Sequence, residues 1–99
     1  MANKIGITDK ISFLFDKAKS GHCSSSELQT IKDYTAQHSN DMVIGRFFGY
    51  SVSDYAIASL RWINTSDSLK LFYEVFNMLP EERKYEIKTL IDMKPYLQV

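Results

Sequence analysis

The sequence predicts an all-α fold, a compact bundle of five to six short helices in stacked antiparallel hairpins, on three observations. Apolar residues recur at helical spacing, helix-opening residues precede the apolar segments, and no segment alternates apolar and polar residues long enough for a strand. The densest spacing is in SDSLKLFYEVFNML, residues 66–79. Leu69, Phe72, Phe76 and Leu79 form one stripe and Leu71, Val75 and Met78 a second, while Lys70, Glu74 and Asn77 share one narrow polar strip. A helix apolar on most sides is covered on most sides. This segment is therefore expected to be the central helix, clamped by its own chain or by another.

The other elements follow in order. Thr8-Asp9 opens a helix over 9–20, with Ile11, Leu14, Phe15 and Ala18 inward and Gly21 as its stop. Residues 1–7 precede it as an arm, expected to be mobile or lightly packed through Ile5 and Ile7. Ser24 and Glu27 stand at capping-box spacing and open a helix over 25–37, with Leu28, Ile31 and either Tyr34 or Thr35 inward. Asp41 opens a candidate helix over 42–49 carrying Val43, Ile44, Phe47 and Phe48. Ser53-Asp54 opens the next, over 54–63, and the two also read as one kinked helix. That helix has Ala56, Leu60 and Ile63 on one stripe, Tyr55 and Trp62 on another. Ser66-Asp67 opens the doubly apolar segment. Pro80, tolerated at a first helical position, opens the last helix with Glu81 and Glu82 behind it. Ile87, Leu90, Ile91 and the stem of Lys94 are expected inward there, and Pro95 ends it.

With 99 residues, 44 % hydrophobic and 13 % aromatic, the chain reads as one helical domain over 1–99. Folding a chain of this size removes roughly 60–70 % of the surface its unfolded form exposes. Twelve basic and 12 acidic residues cancel, and the nine Lys are scattered, which speaks against a phosphate-reading surface. Cys23 is the single cysteine, so no intrachain disulfide can form. The first ten residues, MANKIGITDK, lack a signal-peptide core, and no window approaches the ~20 apolar residues of a membrane span. The expectation is a soluble, cytoplasmic protein without a membrane partner.

Residues 53–93 resemble the helical hairpins of HEAT-type repeat proteins. The resemblance lies in Tyr55-Ala56 with Leu60, in Phe72, Val75-Phe76 and Leu79-Pro80, and in Arg83 with Ile87 and Leu90-Ile91. It covers under half of the chain and implies a scaffold for protein binding. A full solenoid needs more repeats than 99 residues hold.

Residues that could carry chemistry are few. His22-Cys23 and His38 fall in the loops after the first two helices. A cysteine nucleophile needs a neighbouring base, and a structural zinc site usually needs four ligands, so neither catalytic, metal nor cofactor-binding residues are expected. Glu81, Glu82, Glu86 and Asp92 interleave with Arg83, Lys84 and Lys88, the pattern of a solvated helix face with pairs worth about 0.2–0.5 kcal/mol each. Gly45 and Gly49 have small-xxx-small spacing, read as close packing within the domain or, for Gly49, a C-cap. Phe47, Phe48, Tyr50, Tyr55 and Trp62 with Arg46 and Arg61 supply either core or an interface. Tyr55, Arg61 and Trp62 are the candidate partner-binding residues, on the face beside the Ala56, Leu60 and Ile63 stripe. The expected function is non-enzymatic protein binding, most concretely by a small bacterial-style inhibitor or immunity protein that neutralises a toxin or enzyme. The competing readings are a nucleic-acid-binding regulator built on a helix-turn-helix, or a phage-type adaptor, and last an enzyme using Cys23.

Overall fold

The computed structural model describes residues 7–36 and 50–98. Among them are five α-helices: α1 (Ile7–Ser20), α2 (Ser25–Thr35), α3 (Val52–Ile63), α4 (Ser66–Phe76) and α5 (Glu81–Met93). A 3-10 helix, Pro95–Gln98, follows and packs on α1. The all-α expectation holds. Residues 1–6 of the expected arm, the helix expected over 42–49 with its opening at Asp41, and His38, Gly45, Arg46, Phe47, Phe48 and Gly49 lie outside the described residues.

The central helix is α3, not the segment 66–79. α1, α2, α4 and α5 all pack against α3, and every residue of it except Arg61 is buried. Small side chains make this possible: Ser53, Ala56, Ala58 and Ser59 are completely covered and let neighbours approach from all sides. Burying a hydroxyl is tolerable only when it is hydrogen-bonded. Ser53 Oγ donates to the Thr35 carbonyl at 2.6 Å and Ser59 Oγ to the Ala56 carbonyl at 2.7 Å. A count of apolar stripes misses this helix because it scores serine as solvent-facing.

In α4 only Ser68 and Phe72 are fully buried. Leu69, Leu71, Val75, Phe76 and Leu79 are half-buried, and Met78 is 83 % exposed. The first stripe needs the helix to reach Leu79 and the second to reach Met78, but it ends at Phe76. The Met78 and Leu79 amides instead donate to the Val75 and Phe76 carbonyls in a turn. Elsewhere the expected core is present: Ile11, Leu14, Phe15 and Ala18 of α1, Leu28 and Ile31 of α2, Ile87 and Leu90 of α5. Tyr34, rather than the half-buried Thr35, completes the α2 face. Lys94 is exposed, contrary to expectation: at φ 49 it is the left-handed C-cap of α5, where the chain turns away.

The caps show why some helix starts shift. Ser24 Oγ accepts from the Glu27 amide at 3.2 Å, and Glu27 Oε1 accepts from the Ser24 amide at 2.9 Å, the expected reciprocal pair. Gly21 ends α1 at φ +65, its amide donating to the Lys17 carbonyl. The cap of α3 is Ser51 rather than Ser53, and that of α4 is Thr65 rather than Ser66. The third residue onward decides between neighbouring hydroxyls. Ser51 finds Asp54 there and Thr65 finds Ser68, each able to accept from the cap amide. From Ser53 and Ser66 the same step reaches Ala56 and Leu69, which cannot. Pro80 sits one position earlier than expected, as the N-cap of α5, and α1 begins at Ile7, ahead of Thr8.

A charge pair between the buried Asp54 and the half-buried Arg83 anchors the amino end of α3. Asp54 Oδ2 accepts from the Ser51 amide at 3.2 Å and Oδ1 from Arg83 Nη2 at 2.5 Å. The same Arg83 nitrogen reaches Ser53 Oγ at 3.4 Å. Arg83 therefore turns inward from α5 and does not share the solvated face its sequence neighbours suggest. Removing one member of a buried pair leaves an uncompensated charge. Asp54→Ala should lower unfolding stability by about 1–3 kcal/mol, with Asp54→Ala/Arg83→Met recovering part of it in urea titrations. A single variant as stable as wild type would mean the pair does not hold α5 to α3.

Between α1 and α2, Lys17 Nζ meets Glu27 Oε2 at 2.7 Å. That bond, with the Ser24 amide, holds the Glu27 carboxyl below its ordinary pKa, and the same pairing raises Lys17. A carboxylate depressed in the folded state stabilises above its unfolded pKa, and that contribution disappears as pH falls through the folded value. Stability should thus decline on acidification through and below the glutamate range, and Glu27→Gln should shrink the decline. Equal acid sensitivity of the two urea midpoints would remove Glu27 from the account.

Candidate functional site

Of the three residues expected at a partner face, the structure leaves only Arg61 on the surface. Tyr55 is completely buried, its ring edge-on to Phe15 at 5.5 Å and to Tyr50 at 6.1 Å. Burial pushes the Tyr55 hydroxyl far above the usual tyrosine range, so it stays protonated. Trp62 is 8 % exposed; its Nε1 donates to the Ile91 carbonyl at 3.0 Å, and its ring lies 4.8 Å from that of Tyr96. Both aromatics are core because α3 is covered on all sides, so its second stripe meets α1 and α5 instead of solvent. Arg61, in the last turn of α3, donates to Asn64 Oδ1 at 3.4 Å.

The other candidates do not converge. His22 is exposed in the α1–α2 loop, its amide donating to Ser20 Oγ at 3.1 Å. Cys23 is half-buried, and desolvation, followed by the nearby Glu27 charge, raises its thiol above the ordinary value. A raised thiol is a poor nucleophile at neutral pH. Among the described residues no three of His, Cys, Asp and Glu gather where a metal ion could be held. Nor is any described helix long and apolar enough to cross a membrane. Glu81, Glu82, Glu86 and Asp92 are exposed, and Glu81 takes Lys84 at 3.5 Å.

What does converge is a groove of about 360 Å³ between α4 and α5. The two helices both lean on α3 and meet each other only marginally. Phe72 and Phe76 stack at 5.0 Å and 21° along the α4 wall, and Tyr73, 51 % exposed, stands at its lip. Lys88 and Ile91 form the α5 wall, with Arg61 at the α3 end. Lys84 Nζ lies 5.8 Å over the Phe76 ring. A second hollow of about 310 Å³ adjoins it, sharing Arg61, Ile91 and Asp92 and adding Trp62, Lys94 and Tyr96. Neither Arg61 nor Lys88 has a carboxylate within ion-pair distance among the described residues.

A larger hollow of about 450 Å³ between α1 and α2 is lined by Asp9, Phe13, Glu27 and Tyr34. Glu27 is held there by Lys17, and the Tyr34 ring lies under Lys10 at 5.3 Å and against the Phe13 ring edge, which leaves little aromatic surface open beside the exposed Asp9. The α4–α5 groove is the better candidate because it offers free charge beside exposed aromatic surface. Sequence reasoning missed Tyr73. Its signal was present, since Tyr73 belongs to neither apolar stripe of the 66–79 segment and so has no core role there.

Comparison of the chain with protein-family models, with curated proteins and with solved structures finds no match to any of them.

The opposite burial of two sequence neighbours is open to test. Trp62→Phe, which removes the donor to Ile91, should cost about 1–3 kcal/mol and lower Tm. Arg61→Ala should stay within about 0.5 kcal/mol of wild type. The reverse order in thermal melts would put Trp62 on the surface.

Proposed function

We propose that the chain is a non-catalytic protein-binding module of the inhibitor or immunity type, neutralising a toxin or enzyme by occupying its surface. The α4–α5 groove carries this reading. It joins half-exposed aromatic side chains to an arginine without an ion-pair partner among the described residues, the composition in which binding energy concentrates at interfaces. Arg61 remains from the expected trio. Tyr73 and Phe76 replace Tyr55 and Trp62 as the aromatic anchors, because they are reachable. The half-buried, raised thiol of Cys23 and the dispersed carboxylates offer no comparable case for catalysis.

Affinity capture with the tagged chain, followed by assay of the captured protein alone and with stoichiometric amounts of this chain, tests the proposal. A captured toxin or enzyme should lose its activity in proportion to added chain. Tyr73→Ala with Arg61→Ala should weaken capture by about 2 kcal/mol, roughly 30-fold, with Tm unchanged. A partner whose activity is untouched at saturation excludes inhibition. Salt-sensitive retention of duplex DNA, with no protein captured, would point to a nucleic-acid regulator instead.

A further inference from the structure

We infer that the α4–α5 groove accepts an acidic amphipathic helix of the partner, its apolar side chains on Tyr73 and Phe76 and its carboxylates on Arg61 and Lys88. The inference rests on the protein-binding reading above and names the chemistry of what binds. Charge sets the sign. Along the groove and the adjoining hollow, Arg61, Lys88 and Lys94 face one described carboxylate, Asp92. Asp92 follows Lys88 by four residues on α5, yet no ion pair forms between them within 4.0 Å. At the other end of the wall Lys84 lies over the Phe76 ring and is paired with Glu81, so the groove's unpaired cations among the described residues are those at the α3 end. Cations left without partners beside an aromatic surface are complementary to acids that flank an apolar stripe.

Backbone chemistry sets the form of the occupant. Both walls are α-helices, whose amides and carbonyls are bonded within each helix, so the groove has no strand edge to which an extended peptide could add. A helix, bonded within its own backbone, can lay side chains into the groove without needing such an edge.

Two other occupants fit less well. A second copy docking the same groove about a two-fold axis would bring two grooves lined by Arg61 and Lys88 face to face, a like-charge contact. A nucleic-acid backbone needs many phosphate contacts along its length, and the chain, with 12 basic and 12 acidic residues, carries no excess of positive charge to supply them.

The test uses two labelled helical peptides with the same leucine stripe, flanked by Glu in one and by Lys in the other, read by fluorescence anisotropy on the full chain. The Glu peptide should bind at least about tenfold tighter. Arg61→Glu with Lys88→Glu should reverse that preference, and Tyr73→Ala should weaken the Glu peptide. Arg61, Lys88 and Tyr73 are exposed, so the variants should keep the wild-type Tm. Equal binding of the two peptides, no binding of either, a preference that survives charge reversal, or tighter binding of a single-stranded oligonucleotide would each overturn the inference. Partner capture separates this failure from that of the broader reading. If neither peptide binds but capture still depends on Tyr73, only the acidic-helix inference falls. If capture ignores Tyr73 as well, the groove reading falls with it.

Discussion

The architecture depends on keeping the amino end of α3 buried and electrically satisfied. A helix start leaves amides without internal partners and carries a partial positive charge. Asp54 answers both, taking the Ser51 amide on one oxygen and Arg83 on the other. Ser53 extends the same network to the Thr35 carbonyl at the end of α2. Three helices therefore meet through one set of polar contacts: the end of α2, the start of α3 and the first turn of α5. Arg83 Nε is buried without a hydrogen-bond partner among the described residues, which makes the pair costly as well as specific. With the Trp62 Nε1 bond to the Ile91 carbonyl, the arginine gives α5 two directional contacts on α3 beside their apolar packing.

Once α3 is placed, the rest is distribution of apolar surface around it. α1 brings Leu14 and Phe15, α2 brings Leu28 and Ile31, α5 brings Ile87 and Leu90, and α4 brings chiefly Phe72. α4 is thus bulky but lightly committed. Its excess apolar surface, with Tyr73 and Phe76 beside Lys84, becomes the wall of a groove instead of a core layer. The surplus of large side chains that made 66–79 look central is the same surplus that makes the groove aromatic. A segment richer in apolar residues than its packing uses is a reasonable place to look for binding.

The functional proposal follows from the same division. α3 is too deeply enclosed to present anything but Arg61, and its aromatics serve packing. α4 and α5 share α3 but hardly one another, so the cleft between them is open, walled by aromatic and basic side chains.

The local rules were legible in the sequence, and the global assignment was not. The all-helical class, the inward faces of α1 and α2, the Ser24–Glu27 capping box and the Gly21 stop are each determined within a few residues, by 3.6-residue periodicity and by hydrogen-bond reach. Choosing Ser51 over Ser53 was within reach of the same rule, since only Ser51 has an acceptor three residues on. Which helix is central depended on the tertiary structure. Centrality goes to the segment whose small residues admit neighbours on every side, and serine can be buried once its hydroxyl finds a carbonyl. That partner, Thr35, lies 18 residues away, and the carboxylate partner of Arg83 lies 29 away. The candidate site was split the same way. Arg61 was identifiable as an exposed charge, whereas the burial of Tyr55 and Trp62 and the exposure of Tyr73 were decided by which faces other helices happened to cover.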